Sequence, residues 1–146
     1  MSRTVYPIYC DDIRHELSGK TTLVGVYSGK LIAASLPASL AKLCVVLNLA
    51  TPLERPFREV SVIGKLYGEE VFKLEVNEDE MAKYNEQIAL MKRDAKFIDL
   101  QMASIMSPLQ IDKPGQLSLE VKVDGELMPC RPLDIGLAEP GQPVHT

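Results

Sequence analysis

Hydrophobic and polar positions alternate along much of this chain, and they do so most cleanly between Leu117 and Val123. Leu117, Leu119, Val121 and Val123 interleave with Ser118, Glu120 and Lys122. A period of two places the apolar set on one face of a strand and the polar set on the other. Asp124-Gly125 follows at once. Both central residues of a two-residue hairpin turn need positive φ, which Asp-Gly supplies, so an antiparallel hairpin is predicted. Its return is carried by Leu127, Leu133 and Ile135.

The same pattern predicts the other strands. Val5 to Cys10 (VYPIYC) is β-prone, and Pro7, which donates no ladder bond, marks it as an edge. Asp11 to Glu16 reads as a charged connection. Thr21 to Tyr27 is a strand, Ser28-Gly29 turns it into Lys30 to Ala34, and Gly25 marks a bulge or a close backbone approach. Pro37 to Leu40 is a break. Leu43, Val45, Leu47 and Leu49 alternate while Cys44 and Val46 make the other face apolar too, the pattern of a central strand. After the loop Thr51 to Pro56, Val60 to Leu66 and the segment holding Phe72, Leu74 and Val76 form a hairpin about Tyr67-Gly68-Glu69. Phe97 to Met106 is a further strand, with Ile98, Leu100 and Met102 on one face, and Pro108 to Pro114 is a loop.

One segment changes period. Asn77 and Glu80 have capping-box spacing, and Met81, Tyr84, Ile88 and Met91 recur at helical intervals. Lys92 and Arg93 fall where a helix C-terminus favours cations. One amphipathic helix is predicted from Glu78 to Arg93. The methionines Met81, Met91, Met102 and Met106 read as filling between helix and sheet.

About eight short strands and one helix, with turn signals every ~8–12 residues, predict a mainly β chain. An open sheet of that size would expose an apolar face, so the expected architecture is a two-sheet antiparallel β-sandwich. Its general shape is immunoglobulin-like or C2-like, with the amphipathic helix in an inter-strand connection. A closed barrel is the alternative. Residues 1–146 form a single domain, and 137–146 read as a loose tail.

Composition narrows the function. At 146 residues the chain can bury a core without staples. A net charge of −4, with basic residues scattered, argues against nucleic-acid binding and against an electrostatic membrane anchor. No apolar run has signal-peptide or membrane-span length. Cys10, Cys44 and Cys130 are three, widely spaced, and read as free thiols in a reducing cytoplasm.

The stretches YCDDIRHELSGKTTLVGVYSG (Tyr9–Gly29), PASLAKLCVVLNL (Pro37–Leu49) and PGQLSLEVKVDGELMPCRPLDI (Pro114–Ile135) resemble a family of uncharacterised bacterial and phage-borne proteins of about this length. The resemblance covers nearly the whole chain. It implies a bacterial or phage setting and brings no activity or catalytic residue with it.

The densest set of chemically capable side chains is Cys10-Asp11-Asp12 with His15 and Glu16. A nucleophilic cysteine needs a base at hydrogen-bond range, and no third orienting residue accompanies His15. The spacing lacks CxxC and HxxxH, so no metal site is assigned. Acidic clusters at Asp11-Asp12 and Glu78-Asp79-Glu80 fall short of a calcium loop. Gly19-Lys20-Thr21-Thr22 lacks the upstream glycine of a phosphate loop, position 14 being Arg14. No catalytic residue and no cofactor are assigned. Candidate binding residues are Tyr9, Asp11, Asp12, His15 and Glu16, beside the exposed-edge reading of the first strand. The expected function is a non-enzymatic cytoplasmic protein-binding module, of phage or mobile-element accessory type. The expected partner is a protein, with no nucleic acid and no membrane. A self-assembling subunit (a homo-oligomer) and a thiol-dependent enzyme using Cys10 and His15 are the alternatives.

Overall fold

A computed structural model describes residues 2–91 and 94–146. Strand takes up 56% and the described residues hold one helix, so the class is mainly β, as the alternation requires. In chain order the elements are β1 (Thr4–His15), β2 (Thr21–Val26), β3 (Lys30–Ala33), β4 (Ala38–Leu40), β5 (Leu43–Pro52), β6 (Val60–Leu66) and β7 (Glu69–Val76). Then come α1 (Glu78–Leu90), β8 (Phe97–Met106), β9 (Leu109–Ile111), β10 (Gly115–Val123), β11 (Glu126–Met128) and β12 (Leu133–Leu137). A four-stranded antiparallel sheet runs β2-β1-β5-β8. A six-stranded mixed sheet runs β3-β12-β10-β6-β7, with β11 also on β10, and β4 pairs β9 separately. None of the sheets closes, which removes the barrel alternative.

β5 is central, as its two apolar faces predict, with β1 on one side and β8 on the other. Its Val45, Leu47 and Leu49 join the main core, to which the other sheet contributes Val62, Leu117 and Val121. One core cluster thus includes residues of both large sheets. Cys44 and Val46 belong to a second, small cluster with Cys10, against which Ile8, Ile13 and Leu23 pack.

Two hairpins turn where the sequence places them. Asp124 and Gly125 have φ of 54° and 82°, and Tyr67 and Gly68 have φ of 55° and 78°. Positive φ strains a bulky residue such as Tyr67. The tyrosine is held by its far end: the hydroxyl donates to the Lys113 carbonyl and accepts from the Asp112 and Lys113 amides at 3.2 and 3.1 Å. Its ring also occupies the space beside Gly115, where a Cβ would come within 2.8 Å.

Elsewhere the chain departs from the expectation. The return after Asp124-Gly125 is split: β11 pairs with the end of β10 and β12 with its beginning. β12 then pairs in parallel with β3, so the second sheet is mixed and not wholly antiparallel. Ser28-Gly29 makes no hairpin, because β2 lies in the four-stranded sheet and β3 in the other. Asp11 to His15, expected as a connection, continues β1 and pairs with β2 from Asp12↔Val24 to His15↔Thr21. Polar residues suit a strand there because little of that half is buried. Pro37–Leu40 and Pro108–Pro114 contain β4 and β9, which pair with each other.

The tail 137–146 is not loose. Leu137 ends β12, opposite Ala33. The His145 amide donates to the Ile32 carbonyl at 2.8 Å, and the Ile32 amide donates back to His145 Nδ1 at 2.7 Å. The Ala34 amide donates to Thr146 Oγ1 at 3.0 Å. This strap covers the outer side of β3, a place where unpaired ladder groups would otherwise face out.

α1 begins with the predicted capping box: Asn77 Oδ1 accepts from the Glu80 amide at 2.9 Å, and Glu80 Oε1 accepts from the Asn77 amide at 3.4 Å. Met81 is fully buried, with Tyr84 and Ile88 on the same face. Met91 is exposed, so the packed stripe ends a turn earlier than expected. Lys92 and Arg93 lie outside the described residues. Replacing Asn77 with alanine is expected to lower stability by about 1 kcal/mol, read as a lower denaturant midpoint at unchanged slope.

Candidate functional site

β1 pairs β5 from Thr4 to Cys10 but pairs β2 only from Cys10 onward. Its first half therefore has a free side. The Tyr9 carbonyl accepts from the Tyr27 amide at 2.8 Å on the β2 side. Residues two apart in a strand present their backbone groups to the same side. Val5 and Pro7 therefore face the free side, and among the described residues they have no backbone partner there. The edge reading of VYPIYC holds for this half of β1. Pro7 sits where its missing N–H breaks no existing ladder bond.

Two adjoining grooves flank this region. The larger, of about 730 Å³, lies at the β2–β3 crossover and is lined among others by Asp11, Tyr27, Lys30, Arg131, Asp134 and His145. The smaller, of about 210 Å³, follows the free side of β1 past Tyr6, Pro7, Val26 and Pro132, and among the described residues Arg131 is its only charged lining residue. The Tyr27 hydroxyl donates to Asp11 Oδ1 at 2.8 Å. Burial first, and then that bond to a carboxylate, push the Tyr27 hydroxyl far above its ordinary range. The His145 ring meets Tyr27 edge-on, with 5.1 Å between centroids. Because His145 Nδ1 accepts, the neutral ring carries its proton on Nε2.

The five residues predicted for binding do not form one site. Tyr9 is buried at 4% exposure and its hydroxyl donates to the Arg131 carbonyl at 2.6 Å, so it packs in the main core and only its small remaining surface lines the smaller groove. Asp11 does line the larger groove. Asp12 instead pairs with Lys42 at 3.0 Å, and that hydrogen bond holds its carboxyl below the usual carboxylate range. His15 lies at the far end of β1, and Glu16, just beyond it, accepts from Thr22 Oγ1 at 2.8 Å. Cys10 and His15 are five residues apart in one extended strand, about 16 Å, and the geometry does not bring them together as thiol and base.

Cys10 and Cys44 face each other across β1 and β5, both fully buried. Burial, and next the Cys44 thiol, push the Cys10 thiol up to about 11, and burial raises Cys44 as well. Burial also raises the half-buried Cys130 to about 11. Such thiols behave as small apolar side chains. Under native conditions an alkylating reagent is expected to modify Cys130 first, and Cys10 and Cys44 only on unfolding. Peptide mass mapping over time checks the order. No group of three or more His, Cys, Asp or Glu among the described residues is arranged to hold a metal ion.

The residues that sequence reasoning missed are Tyr6, Tyr27, Arg131 and His145. Arg131 sits in Pro129-Cys130-Arg131-Pro132, and nothing local to that segment says it faces β1.

Residues 6–136 match the family model of DUF6941, a family of unknown function. The chain belongs to this family. The DUF6941 match takes in Tyr6, Val26 and Arg131, and it stops before the strap that supplies Val144 and His145 to the larger groove. No curated protein and no solved structure matches the chain. Among the described residues of this DUF6941 member, no helix is long and apolar enough to cross a membrane.

Proposed function

We propose that this chain is a non-enzymatic protein-binding module acting in the cytoplasm of a bacterium, as an accessory protein of a phage or other mobile element. The observation that carries the reading is the pair of grooves beside the free half of β1. Tyr6 and Val26 line the smaller groove at 60% and 57% exposure, and Val144 lines the larger at 47%. Large apolar side chains left exposed around concave surface are what contact sites present. The core shared by the two large sheets supports a β-sandwich of immunoglobulin-like or C2-like shape, in which loops and strand edges are free to bind. The acidic balance of the chain favours a protein over nucleic acid as partner. The bacterial and phage setting rests on the resemblance in the sequence.

Affinity capture from bacterial cytoplasm with the whole chain as bait tests the reading. A reproducible protein partner that survives moderate salt is expected. No partner from well-folded bait overturns it.

A further inference from the structure

The free half of β1 is a strand position left open. β2 fills that position only as far as Val26, and the chain then crosses to the other sheet at Tyr27. The backbone groups of Val5 and the carbonyl of Pro7 face the opening. Added strands satisfy such groups through main-chain bonds, while neighbouring pockets select side chains. Tyr6 and Val26 stand exposed beside it, and Tyr6, Ile8 and Cys10 alternate onto one face with Val26, the register partner of Cys10. Among the described residues Arg131 is the only charge lining the smaller groove, and it has no carboxylate at ion-pair distance.

We infer that an extended peptide segment with alternating apolar residues and one acidic residue adds as a strand along Thr4–Ile8, its carboxylate against Arg131. The inference deepens the protein-binding reading and rests on it. A second copy of this chain fits the opening less well. Antiparallel self-pairing along Val5–Tyr9 brings Pro7 near Pro7, where neither strand has an N–H to give, and sets Arg131 near Arg131.

The test is selection from a library of random linear peptides against the purified whole chain. Enrichment of apolar peptides carrying Asp or Glu is expected, with the Val5 amide gaining hydrogen-exchange protection on binding. Arg131→Glu, a change at an exposed side chain, is expected to weaken the selected acidic peptides at least about tenfold and to select basic ones instead. Tyr6→Lys, also at an exposed position, should weaken both sets. Failure to enrich any peptide, affinity indifferent to Arg131→Glu, or protection that leaves Val5 unchanged each overturns the inference. So does a dimer in light scattering that Tyr6→Lys abolishes. A protein captured equally by the parent chain and by both variants sinks the strand-addition surface yet leaves the protein-binding reading standing, whereas absence of any captured protein removes that reading.

Discussion

Replacing Arg3 with alanine is expected to cost about 3–5 kcal/mol of stability, the range for breaking a buried ion pair from one side. Arg3 is 8% exposed, which is rare for arginine outside a paired site. Its Nε donates to Thr51 Oγ1 at 3.0 Å, and its guanidinium donates to Asp124 Oδ2 at 2.6 Å and to the Pro56 carbonyl at 3.2 Å. Asp124 is already committed at its other oxygen, accepting from the Arg58 and Glu59 amides at 2.8 and 2.9 Å. Without Arg3, a part-buried carboxylate loses its counter-charge and loop carbonyls lose a donor. Burial by itself pushes the Asp124 carboxyl up, but the Glu59 and Arg58 amides and Arg3 outweigh it, and the net shift is downward. A carboxyl whose folded value lies below its unfolded value of 3.8 adds stability that is fully present above that value. The contribution is lost as pH falls through the folded value. Denaturant melts near neutrality and in acid check both parts. The Arg3→Ala deficit should be large at neutral pH and shrink once Asp124 is protonated. A deficit below about 1 kcal/mol at neutral pH would class the pair with ordinary surface bridges.

Phe57→Ala is expected to cost a similar amount, about 3–5 kcal/mol, through lost transfer energy and the cavity left behind. The ring is 1% exposed and belongs to the main core. The Arg3 guanidinium carbon lies 5.4 Å from its centroid, a cation–π contact. Its carbonyl accepts from Asn85 Nδ2 at 2.9 Å, which ties α1 to the loop after β5. Because Arg3 and Phe57 touch, the double variant should be milder than the sum of the single ones, by about 0.5–2 kcal/mol. Equilibrium unfolding of the four species gives the coupling directly, and strict additivity would mean that the contact contributes nothing.

Neither site is visible as such in the sequence. Arg3 precedes the first apolar run, and its partner Asp124 reads only as a turn residue. The turn reading is correct as far as it goes, since φ is a local property. The two amides and the guanidinium on that carboxylate come from residues about 65 and 121 positions away. Period and turn chemistry recover β5, the β6–β7 hairpin, α1 and the start of β10–β11, because each is settled by neighbours in the chain. They miss β4 and β9, too short to show a period, and they misassign β2–β3, where Ser28-Gly29 serves a crossover as well as it would a hairpin. Within the candidate site, Asp11 and the edge at Pro7 are legible, while the burial of Tyr9, a core side chain that only touches the smaller groove, is not. Its alternation with Ile8 and Cys10 leaves open which face is the main core, and the pairing with β5 decides that. Arg131 and His145 join the grooves only through β12 and the strap, which docking alone reveals.

The parallel pairing of β3 with β12 sets an order on biogenesis. Lys30 to Ala33 must wait for Asp134 to Leu137, more than a hundred residues later, before gaining their ladder partners. During synthesis the ribosome therefore delivers about a hundred further residues while β3 stays unpaired. Contacts of such sequence separation slow folding and lengthen the exposure of apolar strands. Leu31, Ile32 and Ala33, all buried in the finished fold, are the segment that a nascent-chain chaperone would find open longest.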